Sequence, residues 1–283
     1  MGYMISRDDG WRMPDWRWGR IELLLPAPPF HPLGCHRPRV CDRDAMDAIL
    51  LVLRTGMQWN ALNATGVCSS SSAHRRFQEW EQAGVFAEIW RRGLLEYDQV
   101  VGIDWSFLSA DGAMTKAPLR AQDGPKPHRS RQKGAKRSVL TEAAGVPIGL
   151  DHDGANRNDH KLLKGTLDSI PIPRPEPTEQ TPQGICLDKA YDNADTRDIV
   201  AGYRLTGHIR TRGEDVADKV HTEGWRPRRW VVEACHSWLN RNRGILVRWC
   251  KKDENHLALL QLASALIAFK KARLATLAAP QPG

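Results

Sequence analysis

Three acids stand where a carboxylate is hard to explain as a solubilising group. Asp104 lies between Ile103 and Trp105 in QVVGIDWSFLSA, an apolar segment rich in β-formers that carries no other charge. Asp188 follows Ile185, Cys186 and Leu187 in GICLDKAYDN, a second short apolar strand. Glu233 is the single acid between Arg226 and Lys252, a block with eight Lys and Arg residues. On a helix it would share a face with Arg229, with His236 or Ser237, and with Asn240. An acid in an apolar strand is costly to bury unless something neutralises it. Strand ends and the first turn beyond them are where ligand sites gather in α/β sheets. Two Asp residues on adjacent strands would repel each other unless a divalent cation lay between them. Oxygen-only ligands suit Mg²⁺, with Mn²⁺ as a substitute. Two such ions about 3.5–4 Å apart can activate a water or a 3′-hydroxyl and stabilise the leaving oxygen of a phosphodiester.

Each acid also has a plainer reading. Asp104 could pair with a lysine, and Asp188 could cap a turn with Lys189. Glu233 could form an intrahelical pair with Arg229 worth about 0.3–0.5 kcal/mol. The combination in order (Asp on one strand, Asp on a later strand, Glu on a helix in a basic block) favours a metal-dependent nuclease or strand transferase. The chain has no P-loop, GxSxG, HExxH or Gly-rich dinucleotide turn to supply a competing chemistry.

The charge points to the same substrate. Lys and Arg number 41 against 33 Asp and Glu, a net charge of +8. From Lys116 to Arg137 there are eight Lys/Arg and one acid, Asp123, so this stretch and the block around Glu233 are candidate phosphate-contacting surfaces. Arg129, Arg131, Lys133 and Lys136 in the first block, and Arg241 beside Asn240 in the second, are candidate DNA contacts. No apolar run reaches the roughly 18 residues that cross a bilayer, and MGYMISRDDG lacks the apolar stretch of a signal peptide. The expected place is the cytoplasm, associated with the nucleoid, with no membrane partner. The six cysteines form no CxxC pair. A zinc site from Cys35, His36 and Cys41 has poor spacing, and reduced structural thiols are the better reading.

The elements that must position the acids fall into two parts. The first hundred residues read as helices. Asp15 caps one that ends at PAPPFHP, Asp42 caps a second ended near Gly56, AHRRFQEWEQAG is a third, and 85–97 is a fourth. The third, bearing His74, Arg75, Arg76 and Gln78 after a polar turn, suits a helix-turn-helix-like DNA reader, with Arg75 and Arg76 as contacts. Beyond residue 98 the pattern is strand, hairpin (137–143 and 146–151), a helix capped by Asn158 or Asp159, strand, helix 194–202, strand, helix, helix. That is a mixed α/β pattern around a central sheet, preceded by a helical domain. Asn156, Asn158 and Asp159 in GANRNDH cap the next helix or lie near the site.

These residues resemble a known family. GIDWSFL, CLDKAYDN, KRSVLTEAAGVPIGLDHDGANRNDHKLL and PRRWVVEACHSWLNRNRGILVRW are similar to the transposases of insertion sequence family five. The stretch from WRMPDWRWGRIELLLP through RTGMQWNAL to VFAEIW resembles their N-terminal domain. The likeness runs over roughly residues 11–270. It implies an RNase H-like mixed sheet flanked by helices, preceded by an all-helical N-terminal domain, with a DNA-binding domain at 11–97 and a catalytic domain at 98–275. It implies Asp104, Asp188 and Glu233 as the metal-binding triad, double-stranded DNA (transposon ends and target) as substrate, and a homodimer or higher oligomer on DNA. In the wider group a Tyr and then an Arg precede the Glu, and a Lys follows it. Arg229 fits the Arg, four residues before Glu233. Arg226 stands at the Tyr position, and Asn240, with Arg241 adjacent, at the Lys position. A catalytically inactive or repurposed DNA-binding derivative is the alternative.

Overall fold

The computed structural model describes residues 10–28, 39–118, 134–209 and 230–278. Helix α1 (Asp15–Ile21) enters from Pro14, which sits at the N-cap, so Asp15 is the first helical residue and makes no side-chain cap. Helix α2 (Asp42–Thr55) likewise starts one residue earlier than a cap at Asp42 would require, with Cys41 at the N-cap, and ends on Gly56 in the left-handed region, φ 70°. Helix α3 (Ser70–Gln82) is capped by Ser69, whose side chain accepts from the Ser72 N–H. Helix α4 (Val85–Val100) runs one turn further than the sequence pattern suggests.

The sheet follows, with strands β1 (Phe107–Lys116), β2 (Gly134–Thr141), β3 (Pro147–Gly154), β4 (Gly184–Leu187) and β5 (Thr206–Ile209). Their spatial order is β3-β2-β1-β4-β5. The first three strands form an antiparallel meander, and β4 and β5 add in parallel to β1. Helix α5 (His160–Asp168) follows β3 and helix α6 (Ala194–Gly202) joins β4 to β5. Asn193 caps α6 through the Thr196 N–H. After the sheet come α7 (Trp230–Asn240), the short α8 (Arg243–Leu246) and α9 (Asp253–Ala278). This is the expected mixed α/β arrangement, a central sheet flanked by helices and preceded by a helical region.

The two parts share one apolar core. Met46, Ile49 and Trp80 belong to the same buried cluster as Leu108, Ile148, Ile185 and Leu260. Helix α4 lies along α9, and the buried Trp90 of α4 donates its indole N–H to the Pro147 carbonyl at the start of β3. Helix α8 seats on the end of α2 at Gly244, where a Cβ would meet the Val52 and Leu53 carbonyl oxygens at 2.8 and 2.9 Å. The helical part is therefore packed against the sheet part rather than tethered to it. No helix among the described residues is long and apolar enough to cross a membrane.

Candidate active site

The parallel pairing of β1 with β4 builds the site. Ser109 lies beside Cys186, and two residues further along each strand come Asp111 and Asp188. Asp188 keeps an extended backbone, φ −71° and ψ 160°, so the strand geometry carries through to it. Neighbouring strands are about 4.8 Å apart, so this register, continued by two residues beyond the last printed pair, would bring Asp111 and Asp188 next to each other. Both are half-buried. Asp188 stands just past the carboxyl end of β4, where ligand crevices form in an open sheet, and Asp111 lies in the middle of β1.

A third acid approaches from below. Asp159, just before α5, reaches the underside of β1 at Gly112, where any Cβ would collide with its Oδ1. Its Oδ1 lies 3.1 Å from the Lys136 ammonium, which also donates to the Arg157 carbonyl at 2.7 Å. The fully buried Tyr191 registers this cluster. Burial first, then Asp159, Asp111 and Asp188, push its hydroxyl far above the ordinary tyrosine range, so it stays protonated.

Helix α7 covers the other face of β1 and β2 and carries Glu233, which is exposed. Arg137 of β2 fixes that helix. Its Nη2 donates to Asn240 Oδ1 at 2.6 Å and to the His236 carbonyl at 3.5 Å, and its Nε lies 3.4 Å from His236 Nδ1. Burial pushes Arg137 down to about 10, and burial plus Arg137 push His236 down to about 3. His236 is therefore a neutral ring at physiological pH. It stands one turn beyond Glu233, against the backbone of Asp111. Among the described residues no three His, Cys, Asp or Glu side chains are gathered closely enough to hold a metal ion. In the register of β1 and β4 the donors that would meet are Asp111 and Asp188, and a hard cation that keeps several waters and takes one or two carboxylates fits such a pair.

Comparison with known proteins decides the family. Residues 98–268 match the transposase DDE domain, and residues 13–90 match a putative transposase of the IS4/5 family. The chain belongs to the DDE transposases. A putative transposase for insertion sequence element IS402 of Burkholderia cepacia is 33% identical over 163 residues, 55% of this chain and 72% of the relative. An uncharacterised 16.2 kDa protein of the same insertion element is 34% identical over 102 residues, 35% of this chain and 69% of the relative. Among solved structures, a piggyBac transposase synaptic complex with hairpin DNA is 10% identical, covering 94% of this chain and 73% of that one at a TM-score of 0.45. A pre-cleavage Mos1 transpososome is 12% identical, covering 87% and 82% at a TM-score of 0.28. The transposase is thus an enzyme of DNA cleavage and strand transfer that uses a divalent metal.

The structure does not bring all the expected residues together. Asp104 is not in β1 of the transposase: α4 continues to Val100, Gly102 turns the chain at φ 85°, and the strand begins at Phe107. Asp104 is exposed, accepts from the Ser106 N–H and hydroxyl at 3.0 and 2.6 Å, and lies near Glu142. Asp111 lies about 13 Å along β1 from Phe107, and Asp104 comes three residues before that strand begins. Arg76 is buried between Asp42 at 2.5 Å and Glu79 at 3.6 Å, so its charge serves the helix pair rather than a DNA surface. Lys136 is buried on Asp159 for the same reason. Asp159 stands at the N-cap of α5 but makes no side-chain cap, its carboxylate being turned under β1. Arg75 and Arg241 are exposed. Arg129, Arg131, Lys133, Arg229, Cys35 and His36 lie outside the described residues.

Reading the sequence missed Asp111. The signal was present as a second isolated acid in the same segment, in SADGAMTK, but Asp-Gly reads as a turn.

Proposed function

We propose that the transposase acts on double-stranded DNA at its element's terminal repeats with Mg²⁺, held by Asp111 and Asp188, and that Glu233 completes the site from α7. The Ser109–Cys186 pairing of β1 with β4, which continued by two residues would bring Asp111 beside Asp188, supports Asp111 in place of Asp104. The bound ion supplies the activation of water or a 3′-hydroxyl and stabilisation of the leaving oxygen. The chain's own groups do the rest. Arg137 holds α7, and with it Glu233, over β1. Neutral His236 keeps a second charge away from the backbone of Asp111. Tyr191 remains a protonated wall beneath the acids. Arg75 and Arg241, both exposed, contact phosphates. Residues 11–97 form the end-recognising part, 98–275 the catalytic part, and two or more copies assemble on the paired ends at the nucleoid.

The test uses purified protein, a labelled duplex of the element's end and Mg²⁺. Asp111→Asn, Asp188→Asn and Glu233→Gln should each abolish nicking and joining while duplex binding persists. Asp104→Asn should keep at least half the activity. Loss of chemistry in Asp104→Asn with full activity in Asp111→Asn would return the assignment to Asp104. Binding without chemistry in the unmutated chain would favour an inactive DNA-binding derivative.

A further inference from the structure

A cavity of about 740 Å³ lies between the helical part and the catalytic part. One wall is Trp11, Arg17 and Arg54, from the N-terminal segment and the end of α2. The other is Trp238, Arg241 and Arg243, from α7 and the turn into α8, with Lys270 and Lys271 of α9. Six cations and two indoles thus face one space, and no Asp or Glu lines it among the described residues. Concentrated positive charge over low-dielectric walls attracts a polyanion. Trp11 keeps 56% of its surface exposed, and the Lys271 ammonium lies 4.4 Å from the centre of the Trp238 ring.

We propose that this cavity binds unpaired DNA, one or two nucleotides of a single strand, with phosphates on the cations and a base against an indole. Size and chemistry select that ligand together. A space of this volume takes a small-molecule-sized guest and not a duplex. The bases of a duplex also hide their faces in the stack, so an indole can stack only on a base that is unpaired. The cavity is placed to receive a strand leaving the acids. Asn240, the last residue of α7, lies about 10 Å along the helix from Glu233, roughly three base steps, and Arg241 follows it in the turn. The site is incomplete without the N-terminal segment, so the helical part would contribute to the substrate site directly as well as to recognition of the element's ends. The inference rests on the DNA-processing reading but not on which acids do the chemistry.

The experiment measures binding in EDTA, where chemistry is silent, of a short labelled single strand and of a duplex of the same sequence. Trp11→Ala/Lys270→Ala removes one exposed group from each wall. It should weaken single-strand binding about tenfold or more, lower the single-strand salt slope by about 0.7 and change duplex binding less than twofold. Lys164→Ala, which removes an exposed cation of α5 outside the cavity, should leave the preference unchanged. Unchanged single-strand binding in the double variant, or equal losses on both substrates, would overturn the proposal. Retained cleavage in Asp111→Asn with Mg²⁺ would instead count against the metal-site assignment alone and leave this binding result standing.

Discussion

Replacing Arg137 with Leu should separate stability from activity. Burial pushes this guanidinium down to about 10, so keeping it charged in the fold costs about 3 kcal/mol relative to water. Its Nη1 finds no hydrogen-bond partner, which adds to that cost. Against this stand one short bond to Asn240 Oδ1 at 2.6 Å and two longer contacts to His236. A hydrogen bond to a charged group contributes about 1.5–3 kcal/mol net. The two sides nearly cancel, and Asn240, being exposed, can return to water. Arg137→Leu should therefore change stability by no more than about 1–2 kcal/mol, a shift of roughly 2–8 °C in Tm. Strand cleavage should fall at least tenfold, because α7 loses the tie that fixes Glu233 over β1, and duplex binding should persist. Arg137→Lys, which keeps a cation but loses the two-pronged geometry, should recover only part of the rate. Thermal melts and nicking assays on both variants decide it. A loss above about 4 kcal/mol would show that the guanidinium holds the fold outright. Full activity in Arg137→Leu would show that Glu233 needs no such tie.

Gly112→Ala should destabilise by about 1–3 kcal/mol through the clash with Asp159, and Asp159→Ala in the same chain should restore part of the loss in a double-mutant melt. Arg76→Gln should lower Tm by breaking the Asp42 pair while leaving the affinity for duplex DNA within twofold, whereas Arg75→Ala should weaken duplex binding and reduce its salt slope by about 0.9. Native alkylation followed by mass mapping should label exposed Cys41 and spare Cys235, whose fully buried thiol is pushed up to about 12. Because that thiol's pKa is raised on folding, the stability it contributes is intact below pH 9 and drains as pH rises toward 12, so alkaline melts should steepen across that window.

The order of elements was legible in the chain, because each is announced locally. Helical spacing and Gly56 bound α2, Asn193 caps α6, and Ile185 to Leu187 can form only a short buried strand. Asp188 was legible for the same reason, as an acid just past an apolar run, and Glu233 as the one acid in a basic block. What the chain could not disclose is which acid faces Asp188. Asp104 and Asp111 are both isolated acids in one segment, and local rules favour the first, since Asp-Gly at 111–112 looks like a turn. The tertiary structure supports the second, the one we propose. Strand β1 needs a residue without a side chain where Asp159 packs beneath it, so Gly112 lies in the middle of a strand. Parallel register with β4, continued two residues past the Ser109–Cys186 pair, is what leads us to propose Asp111 as the partner of Asp188. Burial also decides which cations remain for DNA. Arg76, Lys136 and Arg137 look alike in composition to Arg75 and Arg241, yet the first three lie in the interior with protein partners while the last two reach the surface. Pairing across a sheet and the neutralisation of buried charge are properties of residues far apart in sequence, and only the folded chain fixes them.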